Sequence, residues 1–227
     1  MIIVFDLDNT LYEEITYVKS GFKAVANYLS MTYKVDASEK IYTELVQVLE
    51  EQGRGKVFDA VLRKYHLSNK KIIRKCLSVY RAHYPKISLS KVGRACLERF
   101  KKYPKYLVTD GNKVVQTKKI KALKIDKYFK NMMLTHNYGV QYSKPSNYCF
   151  YKILQWEKAK PKDLVYIGDN PKKDFVNLKK DGFKTVQVLT GEHKNVEMPL
   201  QYRADFRVYT LDELTLKYLK KDVWLLK

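Results

Sequence analysis

The chain has 227 residues, which is enough for one α/β core or for a core with a small accessory domain. Its hydrophobic fraction of 45% excludes wholesale disorder, and no apolar run approaches the roughly 18 uncharged residues of a membrane helix. A formal charge of +20 favours anionic partners. It does not choose among phosphorylated metabolites, nucleic acid, an anionic membrane surface and ordinary solvated lysines.

The first predicted element is a short strand, Ile2–Phe5, whose β-branched and aromatic residues are typical of a buried parallel strand. Two carboxylates, Asp6 and Asp8, come directly after it. Residues 17–83 then show apolar residues three or four positions apart and no convincing strand. This spacing predicts a bundle of about four helices.

From residue 90 onward the pattern changes to alternating helices and strands. Such alternation predicts parallel strands, right-handed crossovers and helices on both faces of the sheet, which is a Rossmann-like α/β fold. The predicted strands are 106–109, 132–135, 164–167 and 185–189, and the predicted helices are 90–102 and those ending near residues 124, 156 and 182. The last stretch, 211–227, is predicted to be partly helical.

The helical block is inserted between the first strand and the rest of the sheet. We therefore predict two domains, an α/β core made of residues 1–14 and 88–227 and a helical cap made of residues 15–87. Ligands of parallel sheets bind at the carboxyl ends of the strands. An insertion at this point of the chain is placed where it can cover that crevice.

Acidic residues follow three of the predicted strands. Crowded carboxylates repel one another, and a bound divalent cation relieves that repulsion. Hard oxygen ligands beside a phosphate suit Mg²⁺. One Asp at a strand end is as often a helix cap, so the metal prediction depends on the whole set. The set is Asp6 and Asp8 after the first strand, Asp110 after the 106–109 strand, and Asp169 and Asp174 after the 164–167 strand.

Four short motifs, in this order along the chain, resemble those of the haloacid dehalogenase-like superfamily. They are Asp6-Leu7-Asp8-Asn9-Thr10, Thr109 at the end of a hydrophobic strand, Lys144-Pro145 ahead of a helix, and Gly168-Asp169-Asn170-Pro171-Lys172-Lys173-Asp174. Together they span residues 2–190. The resemblance implies a hydrolase with a helical cap of the type called C1 and with Mg²⁺ as its cofactor.

The resemblance also implies catalytic roles for the first motif. Asp6 would be the nucleophile that attacks phosphorus and forms an aspartyl-phosphate. Asp8 would protonate the leaving alcohol and then act as the base that activates water. In the family, the residue at the Asp8 position also gives its backbone carbonyl to the metal, beside the carboxylate of Asp6.

The other motifs imply binding roles. Thr109 and Lys144 would bind phosphoryl oxygens, helped by backbone N–H groups near Asp110 and Gly111. Asp169 would be a direct metal ligand. The same resemblance leaves Asp174 either a direct ligand or a support for the ligands.

The residue type at the Asp8 position differs between the reactions of the superfamily. Family dehalogenases lack an acid at this position, whereas phosphomonoesterases and phosphomutases carry one, because their leaving oxygen must be protonated. We therefore predict a phosphatase for a small organic phosphate monoester. A phosphomutase of the same superfamily is an alternative, which the absence of phosphate release would favour. A non-catalytic basic binding protein is another, which salt-dependent binding of nucleic acid would favour.

Two further residues are candidates for reading the substrate. Arg54, in a glycine-rich turn of the predicted cap, would hold a second anionic or polar group, and Glu13 lies just after the first motif. A plain interhelical turn and a solvated glutamate are the alternatives. A capped site favours a small phosphorylated metabolite over nucleic acid, and no membrane partner is expected.

The start lacks a signal-peptide pattern, and the three cysteines are widely spaced, which predicts a cytoplasmic protein.

Overall fold

The computed structural model describes residues 1–219 and divides them into two compact units. One unit consists of Met1–Glu14 with the described residues from Ser88 onward, and the other is Ile15–Ile87. Each unit has a hydrophobic core of its own. Residues 220–227, the final part of the stretch that we predicted to be partly helical, lie outside the described residues.

A six-stranded sheet forms the centre of the first unit. Its strands are β1 (Ile2–Phe5), β2 (Lys105–Thr109), β3 (Asn131–Leu134), β4 (Leu164–Gly168), β5 (Lys184–Val188) and β6 (Phe206–Val208). All pairings are parallel, and the strand order is β3-β2-β1-β4-β5-β6. The predicted Rossmann-like parallel sheet is confirmed. Strand β6 was not predicted, because a three-residue edge strand is too short to show a hydrophobic period.

Nine α-helices lie among the described residues. They are α1 (Glu14–Tyr33), α2 (Ser38–Gln52), α3 (Val57–Lys64), α4 (Lys70–Ala82), α5 (Lys91–Arg99), α6 (Lys113–Leu123), α7 (Tyr148–Glu157), α8 (Val176–Lys180) and α9 (Leu216–Leu219). The first four match the predicted bundle of about four helices in residues 17–83. None of the described helices combines the length and the hydropathy of a membrane span.

Both faces of the sheet are covered. Successive side chains of a strand point to opposite faces, and all four residues of β1 are buried. Ile2 and Val4 belong to one cluster together with Phe150 and Ile153 of α7, and Ile3 and Phe5 on the opposite face are fully buried as well. Continuous apolar runs such as β1 are typical of parallel sheets with helices on both faces.

The register places the carboxyl ends of three strands side by side. Phe5, the last residue of β1, pairs with Leu107 of β2 and with Ile167 of β4. The strand order reverses at β1, because β2 and β3 lie on one side of it and β4 to β6 on the other. Such a reversal opens a crevice at the carboxyl edge, where α/β proteins bind their ligands.

Candidate active site

Three carboxylates meet at this edge. Asp6, Asp169 and Asp174 each offer one oxygen, and the three oxygens lie within 4.8 Å of one another. All three residues are buried. Asp6 is held at the end of β1 by its backbone N–H, which donates to the carbonyl of Ile167 at 2.8 Å. The parallel register therefore brings together acidic residues that are far apart in the sequence.

Gly168 makes room for the third carboxylate. A Cβ atom at this position would lie 2.5 Å from Asp174 Oδ2, so any larger residue would displace that side chain. The same oxygen accepts a hydrogen bond of 2.9 Å from the backbone N–H of Asn170. The turn after β4 thus folds Asp174 back beside the end of its own strand.

Lys144 joins two of the carboxylates. Its Nζ atom lies 2.7 Å from Asp6 Oδ1 and 2.8 Å from Asp174 Oδ1, and it donates to the hydroxyl oxygen of Tyr166 at 2.8 Å. These three contacts match the three N–H donors of an ammonium group. Burial alone would lower the pKa of Lys144, but the carboxylates of Asp174 and Asp6 outweigh it and hold that pKa well above its usual value.

Two carboxyl groups of this cluster, those of Asp6 and Asp169, are hard to ionise. Burial raises the pKa of Asp6 to about 6, although the Lys144 charge opposes the shift. Burial, reinforced by the charges of Asp6 and Asp174, raises the pKa of Asp169 to about 9. Among residues 1–219, no group forms a hydrogen bond with the buried Oδ2 of Asp169. A divalent cation would satisfy that oxygen and relieve the repulsion, so the donor set fits a metal ion.

Asp8 faces a different set of partners. Its Oδ1 lies 2.7 Å from Lys119 Nζ and accepts a 2.5 Å hydrogen bond from the hydroxyl of Tyr12. Its Oδ2 accepts a hydrogen bond of 2.9 Å from Gln116 Nε2. Burial raises the pKa of Asp8, but Lys119, Tyr12 and Gln116 outweigh it, so that the pKa lies below its usual value. The carboxylate of Asp8 therefore has partners different from those of the three-carboxylate cluster, and a metal contact through its backbone carbonyl remains a prediction.

Thr109 ends β2, and Asp110 directly follows it. Thr109 is buried, and its Oγ1 accepts a hydrogen bond of 2.8 Å from Gln116 Nε2. The carboxylate of Asp110 accepts from the backbone N–H of Lys144 at 3.1 Å and lies 3.3 Å from Lys173 Nζ. Asp110 thus fixes the backbone of the Lys144 segment through its side chain.

Comparison with known proteins identifies the family. Residues 3–188 match the family described as haloacid dehalogenase-like hydrolase. The chain belongs to the haloacid dehalogenase-like hydrolases. The resemblance carried by the four sequence motifs is therefore confirmed, and the protein is a hydrolase.

Several relatives of this hydrolase carry the name glyceraldehyde 3-phosphate phosphatase. The one from Pyrococcus furiosus is 31% identical over 222 residues, covering 94% of this chain and 90% of that protein. The one from Methanocaldococcus jannaschii is 30% identical over 234 residues, covering 97% and 98%. The magnesium-bound hydrolase YfnB of Bacillus subtilis has the same fold, with a TM-score of 0.66 at 15% identity and with 96% and 98% of the two chains covered. These relatives agree with the prediction of a phosphatase for a small phosphate monoester.

Two further residues were predicted to read the substrate. Glu13 is exposed, five residues after Asp8. Arg54 belongs to the helical unit, where it lines a cavity of about 200 Å³ together with apolar residues such as Phe58 and Leu77. Their roles as substrate-reading residues remain predictions.

Gly111 has a φ of +122°, a conformation that favours glycine and that lets the chain turn sharply after Asp110.

Four residues that contact the site were not predicted from the sequence: Tyr12, Gln116, Lys119 and Tyr166. A signal for two of them is present in α6, where Gln116 and Lys119 share a face with Ile120 and Leu123 at helical spacing. Polar residues on the buried face of a helix require partners, and both side chains here point to Asp8. Tyr166 gives a weaker signal, because a tyrosine in a buried strand is common.

Proposed function

We propose that this hydrolase is a Mg²⁺-dependent phosphatase that removes phosphate from a three-carbon metabolite such as glyceraldehyde 3-phosphate. The observation that carries the proposal is the placement of Asp6, which shares the 2.7 Å contact with Lys144 and lies beside Asp169 and Asp174. The substrate is inferred from the names of the relatives, which match this chain over nearly its whole length.

In this proposal Asp6 is the nucleophile. A carboxylate oxygen of Asp6 attacks phosphorus, the bond from phosphorus to the leaving oxygen breaks, and an aspartyl-phosphate forms. Lys144 and Thr109 offset the negative charge of the phosphoryl oxygens. Mg²⁺ held by Asp6, Asp169 and Asp174 would supply further positive charge beside the phosphoryl group.

Asp8 handles the proton in both half-reactions. It gives a proton to the leaving alcohol in the first step and takes one from the attacking water in the second. The water attacks the phosphorus of the aspartyl-phosphate, which releases inorganic phosphate and regenerates Asp6. A dehalogenase has no need for this acid, so the presence of Asp8 favours phosphate ester hydrolysis.

We further propose that the helical unit, residues 15–87, is a cap that contributes to substrate choice, with Arg54 and Glu13 as candidates. The support is the position of this unit in the chain, since it is inserted directly after the first motif. A cytoplasmic location also remains a prediction, supported by three buried cysteines that form no disulfide.

A phosphate-release assay tests the function. The purified protein is incubated with a panel of triose phosphates, sugar phosphates, phosphoglycolate and nucleoside monophosphates, with Mg²⁺ or with EDTA. We expect phosphate release that requires Mg²⁺ and is fastest with glyceraldehyde 3-phosphate. Release that survives thorough chelation would contradict the metal, and no release from any ester would contradict a phosphatase and favour the mutase.

A further inference from the structure

We propose that Gln116 and Lys119 are positioning residues that hold the carboxylate of Asp8 in place for proton transfer. The inference rests on the proposed function, in which Asp8 is the general acid and base. Both residues lie on α6, which begins directly after the turn that follows Thr109. Neither belongs to the four motifs of the family.

The helix is anchored so that these two side chains face Asp8. The side chain of Asn112 caps α6 by accepting hydrogen bonds from the backbone N–H groups of Val114 and Val115. Gln116 and Lys119 are three residues apart, which places them on one face of the helix. They are only 2% and 3% exposed.

The position of the Lys119 ammonium group is restricted, because a buried charge requires carboxylate partners. Its Nζ atom lies 2.7 Å from Asp8 Oδ1 and 3.7 Å from Glu14 Oε1. Because the ammonium group cannot leave this pocket without losing these partners, it restricts the position of Asp8 as well. Tyr12 binds the same oxygen of Asp8.

Gln116 connects Asp8 to the residue that ends β2. Its Nε2 atom lies 2.9 Å from Asp8 Oδ2, 2.8 Å from Thr109 Oγ1 and 2.6 Å from the carbonyl oxygen of Asp110. A carboxylate and a backbone carbonyl only accept hydrogen bonds, so the amide nitrogen, and not the amide oxygen, must face them. The two hydrogens of this nitrogen serve three acceptors, so one of them is shared. Thr109 Oγ1 can only accept from the amide nitrogen, which leaves its own hydrogen for a phosphoryl oxygen.

Together, the two residues bind both oxygens of Asp8. A general acid acts only when it lies within hydrogen-bond reach of the leaving oxygen, and a displacement of about 1 Å can lower the rate roughly 100-fold. The loss of rate that follows from a displaced acid depends on the leaving group. An alkoxide must be protonated as it leaves, whereas p-nitrophenolate leaves readily without a proton.

The test compares kcat/KM for an alkyl phosphate, glycerol 3-phosphate, and for p-nitrophenyl phosphate in Lys119→Met and Gln116→Met. We expect both variants to lose at least about tenfold more activity with the alkyl phosphate than with the aryl phosphate. Lys121→Met is the matched control, because Lys121 is an exposed lysine of the same helix. Lys121→Met should leave kcat/KM unchanged for both esters. If Lys119→Met fails to fold, Gln116→Met carries the same test through the other oxygen of Asp8.

A double-mutant cycle makes the test specific to Asp8. Asp8→Asn should show the same leaving-group bias, and adding Lys119→Met to it should cost little further activity, because the residue that Lys119 positions has lost its proton-transfer role. Equal fractional losses for the two esters, or losses that simply add, would overturn the positioning role while the phosphatase assignment stands. A wild-type protein that releases no phosphate would overturn the proposed function, and this inference with it.

Discussion

The Nζ atom of Lys144 lies 2.7 Å from Oδ1 of Asp6, and both groups are buried. This contact joins the proposed nucleophile, at the end of β1, to a lysine that is 138 residues further along the chain. Because the ammonium group also binds Asp174, it offsets part of the repulsion among the carboxylates. The contact therefore links the proposed nucleophile to the charge balance of the cluster.

Replacing Asp6 by Asn should abolish turnover while the protein stays folded. The amide has nearly the same shape but is a poor nucleophile, so we expect phosphate release to fall by roughly 10³-fold or more. Removing one of three crowded carboxylates should leave the melting temperature in EDTA unchanged or raised. Wild-type rates of phosphate release in Asp6→Asn would remove Asp6 from the nucleophile role.

Replacing Lys144 by Met should destabilise the protein strongly. The change leaves the buried carboxylates of Asp6 and Asp174 without their shared cation, and breaking a buried ion pair in this way costs about 3–5 kcal/mol. We expect a lower midpoint in urea unfolding together with loss of activity. Lys113→Met, which removes an exposed lysine at the start of α6, is the control. Equal midpoints for the two variants would contradict the expectation.

Replacing Tyr166 by Phe should weaken the site in a smaller way. The hydroxyl accepts from Lys144 and donates to Asp174 at 3.0 Å, and its loss should cost about 1–3 kcal/mol of unfolding free energy and lower kcat. Tyr106→Phe is the matched control, because Tyr106 lies in β2 and its hydroxyl binds Glu157, which is not part of the site. A similar kcat in the two variants would show that the Tyr166 hydroxyl is only structural.

The stability of the metal-free protein should fall as the pH rises from about 4 to about 9. Across this window folded Asp169, with its pKa near 9, keeps a proton that the unfolded chain releases, so the folded state binds more protons. Asp6 adds to the effect up to about pH 6. The lowered pKa values of Asp8 and Asp110 act below this window. Burial lowers the pKa of His193 and opposes the trend near pH 6, but the shift of Asp169 is much larger and outweighs it.

Mg²⁺ should reverse this trend, because metal binding displaces the proton. The measurement is the rise in melting temperature that Mg²⁺ produces over EDTA, at about pH 6 and at about pH 9. We expect the larger rise at the higher pH, and no rise at either pH in Asp169→Asn. An equal response at the two pH values would contradict the coupling between the proton and the metal.

The central strands of the sheet could be predicted from the sequence, because strong hydrophobic patterns mark them. β1 and β4 are continuous apolar runs followed by acidic residues, and the parallel register then places Asp6 and Asp169 together. The helix that was predicted to end near residue 182 is α8, and it begins only at Val176. A turn precedes it, in which the backbone N–H of Asn170 donates to the carboxylate of Asp174.

The contacts around Asp8 could not be predicted in the same way. Lys119 is one of 44 basic residues, most of which carry no special role, so its identity alone indicates nothing. Its importance arises from its burial beside Asp8, which depends on how the turn after Thr109 places α6. Sequence motifs mark residues that touch the reacting atoms, whereas the side chains that hold those residues in place are fixed by tertiary packing.

The pocket at the end of β1 contains three carboxylates and one ammonium group, and this ratio has a consequence for ion choice. With Asp6, Asp169, Asp174 and Lys144 all charged, the pocket carries two surplus negative charges. One Mg²⁺ balances them, whereas one Na⁺ or K⁺ leaves a negative charge that faces the incoming phosphate. The arrangement therefore selects against monovalent ions by charge alone, before ion size or coordination number is considered.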